Sequence, residues 1–200
     1  MMLAESPVII RMQPLAPADR RELLSLARAS IRNAIAGGPP PVPTVISAAL
    51  SVRAAAFVSL HQSRMLRGCI GTLTPEHPLY QTVTEMALAA AFGDPRFPPL
   101  ALAELDSVAI EISRLSDLVP ARPEDVCPGR HGVCLAYADH KGVFLPQVAS
   151  MHNWDRERLL TELCRKAELL SDTWKQPGVS LMIFEAEVFG EEDVGREREE

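Results

Sequence analysis

No apolar run in this 200-residue sequence approaches the roughly 18–20 residues that a membrane-spanning helix needs. The chain start, MMLAESPVIIRM, has no basic stretch leading into a long apolar one, so no secretory leader is expected. Basic charge is scarce: 20 Lys and Arg stand against 26 Asp and Glu, a formal net charge of −6. That argues against broad nucleic-acid binding, which draws on a basic patch or excess, and leaves open only a local basic groove. Cysteine is sparse too. The four, at 69, 127, 134 and 164, form no evident disulfide framework, and reduced thiols in a cytoplasm are the expected state. Phosphate-cradling loops, a nucleophile-elbow serine and internal repeats are all missing.

Proline is abundant, with 17 residues punctuating the chain. Apolar residues make up 47%, enough for a sizeable core in one domain or two small ones. The spacing of Leu23, Ala27, Ile31 and Ile35 predicts a helix over 17–36, opened by Pro17 and ended by Gly37 and Gly38. Strands are predicted at 52–60 and 65–73, forming a hairpin, and at 107–115. A second helix spans 78–92. The prolines of GDPRFPPL (93–100) keep that stretch irregular. A second hairpin, 132–137 with 142–146, places Gly142 at its turn. A third helix covers 155–170, with Cys164 on its buried stripe, and a last strand 179–189. Residues 191–200 read as a disordered charged tail. Hairpins dominate, so the fold class is α+β: a mixed, mostly antiparallel sheet with flanking helices.

The stretch LRGCIGTL (66–73) holds a cysteine between glycines. Strand alternation places Leu66 and Ile70 toward the core, and Arg67 and Cys69 on the opposite face. The same counting puts Ser59, Glu111 and Ser113 on that second face if the three strands are neighbours. An arginine beside the thiol would favour the thiolate. Gly68 and Gly71 would open space around it, since strand glycines mark bulges or close approaches. The alternative is a packed, inert cysteine.

LRGCIGTL, followed by DPRFPPL (94–100), ELDSVAIEISRL (104–115), RHGV (130–133), GVFLPQVA (142–149) and CRKAEL (164–169), resembles the AMMECR family, the A protein of the AmmeMemoRadiSam system. The resemblance runs over roughly 20–188 and is specific in its order of motifs. It implies a single α+β domain over 1–190 in two unequal subdomains, the larger from both chain ends and the smaller from roughly 66–118. It also implies a site where they meet, near LRGCIG. It brings no established reaction. It implies company with Memo-like and radical SAM proteins. No cofactor and no metal are expected. The matched blocks nominate Cys69, Glu111 and His131 as candidate catalytic groups, with Arg67, Gly68, Gly71, Asp94, Arg96 and Gln147 as candidate binding residues.

Two departures stand out. The resemblance implies glycine where this chain has Glu168, a position suited to a left-handed helix end. SMHNW (150–154) lacks the acidic residue expected before the tryptophan. Cys127, His131, Cys134 and His140 imitate a zinc set, but their spacing matches no common one. Two functions stay open. One is an enzyme using Cys69 on a small molecule or protein side chain, with Glu111 or His131 moving protons. The other is a binding module for a ligand or protein in which LRGCIG is structural.

Overall fold

A computed structural model describes residues 10, 12–43 and 46–192. The chain start, where no leader is expected, and the tail from 193 onward lie outside them. In chain order the elements are α1 (Pro17–Ile35), α2 (Ala48–Ser51), β1 (Ala56–Gln62), β2 (Met65–Gly71), α3 (Leu79–Phe92), β3 (Val108–Leu115), β4 (Val119–Pro120), β5 (Gly132–Tyr137), β6 (His140–Phe144), α4 (Pro146–Met151), α5 (Arg156–Lys166), β7 (Ser180–Phe184) and β8 (Ala186–Gly190). They build two four-stranded sheets, in orders β2-β1-β3-β8 and β4-β7-β5-β6. The pairs β1/β2, β1/β3, β4/β7, β5/β6 and β5/β7 are all antiparallel. The fold is α+β. No helix among the described residues is long and apolar enough to cross a membrane.

The chain divides into two compact units: Gln13–Leu115 with the residues from Glu187, and Ser116–Ala186 with Ile10. The smaller part expected at roughly 66–118 is not a unit of its own. Its strands β2 and β3 both pair with β1, so the division falls after Leu115. The expected last strand, 179–189, is two strands in different sheets. Glu185 interrupts it by turning its N–H to Ser116 Oγ (2.9 Å) and its carbonyl to the Ser116 N–H (2.9 Å). The apolar run through this break carries no sign of it.

In the first unit, Ala56, Val58 and Leu60 of β1 join Val108, Ile110 and Ile112 of β3 in one core with Leu23, Ala27, Ile31, Val83 and Ala87 of α1 and α3. The helices therefore cover one face of the sheet. Strand β1 starts later than expected because Val52 serves another partner: its carbonyl accepts the Leu79 N–H at 2.9 Å, at the start of α3. Helix α1 is tied by charge to β8 and to the residue that follows it. Arg20 Nη2 meets Glu187 Oε1 at 2.9 Å, and Arg28 binds Glu191 through Nε and Nη2, each at 2.5 Å. The spacings match, since eight helical residues rise about 12 Å and four strand residues about 13 Å. Glu191 also accepts the Ile110 N–H at 2.8 Å. The charged tail was expected to begin at 191, but this residue is held in place.

In the second unit, Val133, Leu135, Leu160, Leu163, Cys164 and Ile183 form a separate core. Asp155 caps α5, accepting the Arg158 N–H at 2.8 Å. Trp154, just before the cap, lies edge-on to Phe144 at 5.6 Å. Gly142 is not the hairpin turn. The turn uses Ala138, with φ 50°, and Gly142 lies inside β6. There a Cβ would sit 3.0 Å from the Leu163 carbonyl oxygen, so the glycine lets strand and helix approach. Helix α5 stops at Lys166 rather than 170, because Glu168 turns left-handed with φ 58°. The Leu169 N–H reaches the Cys164 carbonyl (2.9 Å) and the Glu168 N–H reaches that of Arg165 (3.0 Å), the two bonds of a Schellman end. His140 Nδ1 lies 2.9 Å from the Ala167 carbonyl at the same end.

A non-glycine residue in this conformation carries a strain of about 1–2 kcal/mol, partly offset by the greater unfolded-state freedom of glycine. Glu168→Gly is therefore expected to stabilise the protein by about 0.5–1 kcal/mol, seen as a rise of about 1–4 °C in the thermal unfolding midpoint.

Candidate functional site

Cys69 sits on β2, the outer strand of the first sheet, directly across from Ser59 of β1. Ser59 in turn faces Glu111 of β3. These three side chains form a row on the sheet face opposite the helices. Ser59 Oγ donates to Cys69 Sγ at 3.2 Å. In the neighbouring row His61 of β1 lies between Leu66 and Ala109, and its Nε2 is 4.0 Å from Glu111 Oε1. The expected face with Ser59, Cys69, Glu111 and Ser113 therefore exists.

Arg67 is not on that face, because β2 bulges. Leu60 pairs with Gly68 while His61 pairs with Leu66, leaving Arg67 as the extra residue. The bulge reverses the alternation beyond it. Leu66, expected in the core, is 40% exposed. Arg67 is buried, and its guanidinium grips Glu104 at both oxygens (Nε to Oε1 2.8 Å, Nη2 to Oε2 3.0 Å). That grip, with the Ala101 N–H, holds the Glu104 carboxyl below the usual range. Glu104 escaped the sequence reading. The one available signal was that a buried arginine needs an anion, and sequence distance gave no hint of which.

The arginine that does lie beside Cys69 is Arg96. Asp94 and Arg96 form a forked pair, with Nε to Oδ1 at 2.9 Å and Nη2 to Oδ2 at 2.7 Å. Together they clasp the outward backbone of Cys69. Its N–H donates to Asp94 Oδ2 at 2.8 Å, and its carbonyl accepts from Arg96 Nη2 at 3.1 Å. Both backbone groups of Cys69 thus point away from β1. Cys69 and Ser59 consequently form a non-hydrogen-bonded pair, the kind that brings side chains closest. The turn Asp94–Phe97, closed by Phe97 N–H to the Asp94 carbonyl at 3.1 Å, presents this pair. The Phe97 ring lies under both guanidiniums, 6.0 Å from Arg67 Cζ and 5.5 Å from Arg96 Cζ. Hydrogen bonding by Arg96 first, and by the two backbone N–H groups, drives the buried Asp94 carboxyl far below its ordinary value. The hydrogen bonds to the Asp94 carboxylate hold the Arg96 guanidinium above its own.

The glycines do not open space around the thiol. A Cβ at Gly68 would lie 2.3 Å from the Ala90 carbonyl oxygen, so this glycine lets β2 rest on the backbone of α3. At Gly71 a Cβ would strike the Phe57 ring at 2.1 Å. His131 and Gln147 belong to the second unit. His131 is buried ahead of β5, and its Nδ1 accepts the Cys127 N–H at 3.1 Å, closing a turn. Burial first, then the nearby Arg130 charge, lowers its pKa, so the ring is neutral at neutral pH. Gln147 is half-buried in the first turn of α4. Cys164 is fully buried in the core, as expected, and burial pushes its thiol pKa up.

The AMMECR1 family model matches residues 24–189, which takes in both units. The chain belongs to the AMMECR1 family. Among AMMECR1 relatives, protein NEQ441 of Nanoarchaeum equitans is 35% identical over 85% of this chain and 99% of its own length. Protein MJ0810 of Methanocaldococcus jannaschii is 37% identical over 82% of this chain and 86% of its own. The crystal structure of uncharacterized protein PH0010 from Pyrococcus horikoshii is similar to this AMMECR1 fold with a TM-score of 0.81. It shares 34% identity and covers 85% of this chain and 90% of that one.

A depressed carboxyl contributes stability that is complete above the unfolded pKa of about 3.9 and fades as pH falls toward the folded value. Asp94→Asn is therefore expected to cost about 2 kcal/mol at pH 7, the scale of hydrogen bonds to a charged group. Urea unfolding at pH 7 and again below pH 4 checks this. The gap between the two proteins should narrow on acidification.

Proposed function

We propose that this AMMECR1-family protein is a thiol-dependent enzyme acting on a small molecule or a protein side chain, with Cys69 as the attacking group. The observation that carries the reading is the division of labour around LRGCIG. Arg67, Gly68, Gly71 and Asp94 are each committed to building the strand and its edge. The Cys69 thiol is left half-buried, with a hydroxyl at 3.2 Å, and the Arg96 guanidinium is bonded to the carbonyl of the same residue. The thiolate is the reactive form of cysteine, and a neighbouring cation is the usual setting of a reactive one. Glu111, across Ser59 in the same row, is the group placed to exchange protons with substrate. His131, whose Nδ1 serves a turn, has no such part in this reading. The expected partners are the Memo-like and radical SAM proteins of the family resemblance, and the expected location is the cytoplasm.

One observation favours a second reading, a binding module without chemistry. The described partner of the Cys69 sulfur is a serine hydroxyl, with no imidazole bonded to it as in activated nucleophiles. Alkylation at each cysteine as a function of pH, read by peptide mass spectrometry with Cys69→Ser as control, separates the two. The enzyme reading expects fast labelling of Cys69 in the folded protein, with an apparent pKa below the roughly 8.5 of a free thiol. Labelling of Cys69 only on unfolding would establish the binding module instead.

A further inference from the structure

We propose that the cleft beside Glu111 binds an α-amino acid with an extended side chain, its carboxylate held by Arg64 and its ammonium group by Glu192. The cleft measures about 420 Å³, within the usual size of small-ligand sites. It lies wholly in the first unit. Ala109 and Glu111 of β3 line its middle, with His61 and Arg64 on the side of β1 and Glu191 and Glu192 on the side of β8, the strands that flank β3.

The charges on these walls are not equally available. Glu191 is spent on Arg28 and the Ile110 N–H. Glu111 stands 4.0 Å from His61. Among the described residues, Arg64 and Glu192 make no hydrogen bond or ion pair. The backbone that carries Arg64 is fixed nonetheless. Ser63 and Arg64 both turn left-handed, with φ 50° and 65°, in the two-residue loop of the β1–β2 hairpin. A cleft whose guanidinium on one wall and carboxylate on the other have no partner among the described residues selects a ligand of both signs. An anion alone would face Glu192 unpaired, and a cation alone would face Arg64. A carboxylate matches the guanidinium fork with two parallel bonds. Ala109 leaves the floor open for the carbon skeleton.

The inference deepens the thiol reading and rests on it for its place in a reaction. Glu111 belongs both to the cleft and to the row that leads through Ser59 to Cys69. Two strand spacings, about 10 Å, separate β3 from β2. A ligand anchored in the cleft reaches the thiol only with an extended side chain laid along that row.

The test is a nuclear magnetic resonance titration of the full chain with Nε-acetyl-L-lysine, which carries both charges and a long neutral side chain. The proposal expects saturable shifts at the amides of Arg64, Ala109 and Glu111. Blocking the α-amine by acetylation, or the carboxylate as its methyl ester, should weaken binding by about tenfold or more, the cost of one charged hydrogen bond. Arg64→Ala and Glu192→Gln, both exposed, should do the same while leaving the spectrum of the free protein otherwise intact. No saturable shift at millimolar ligand, or equal binding of the blocked compounds, overturns the proposal. Loss of binding in the cleft variants bears on the cleft, whereas an inert thiol with binding retained bears only on the chemistry.

Discussion

The Asp94–Arg96 pair on the backbone of Cys69 is the contact on which the site depends. Strand β2 is the outer strand of its sheet, and its outward N–H and C=O groups would otherwise face water or a passing strand. A carboxylate and a guanidinium take the place of that missing strand at one residue. The fork of two short bonds between them fixes their geometry, and Pro95 between them limits the turn that presents them. Because the backbone of Cys69 is held from outside, its side chain is delivered to the row with Ser59 and Glu111.

The rest of LRGCIG works toward the same end. Gly68 brings β2 down onto α3, with no room for a side chain against the Ala90 carbonyl. The bulge at Arg67 turns that arginine to Glu104, which pins the segment leading into β3. Phe97 sits beneath both guanidiniums. The motif that looks in sequence like a cysteine with its activating arginine is thus two arginine–carboxylate pairs bracing a strand edge. Arg96, from the separate DPRFPP block, is the cation beside the thiol.

Much of this was legible in the sequence. Period-two alternation put Ser59, Glu111 and Ser113 on one face of β1 and β3, since both strands are regular and half-apolar. The helices α1, α3 and α5 and the α+β class followed from spacing and hairpin signals. The motif resemblance identified the family. What escaped were features without a local signature. A bulge adds one residue without changing composition, so simple alternation puts Leu66 and Arg67 on the wrong faces. A strand that changes sheets at Glu185 reads as one apolar run. Glycine reports that space is needed but not what fills it, so Gly68, Gly71 and Gly142 were given open space or a turn where backbone or a ring approaches. Glu168 went the other way: its left-handed position, with φ 58°, was legible because the family resemblance implies glycine there.

Amide hydrogen exchange at Cys69, resolved by nuclear magnetic resonance in the wild type and in Arg96→Ala, tests the central claim most directly. The account holds that this outward-facing amide is bonded to a buried carboxylate whose orientation Arg96 maintains. It predicts protection comparable to the ladder amides of β1 in the wild type, and a selective loss of protection at Cys69 in the variant. Exchange of the wild-type Cys69 amide as fast as an open strand edge, or protection unchanged without Arg96, would contradict it.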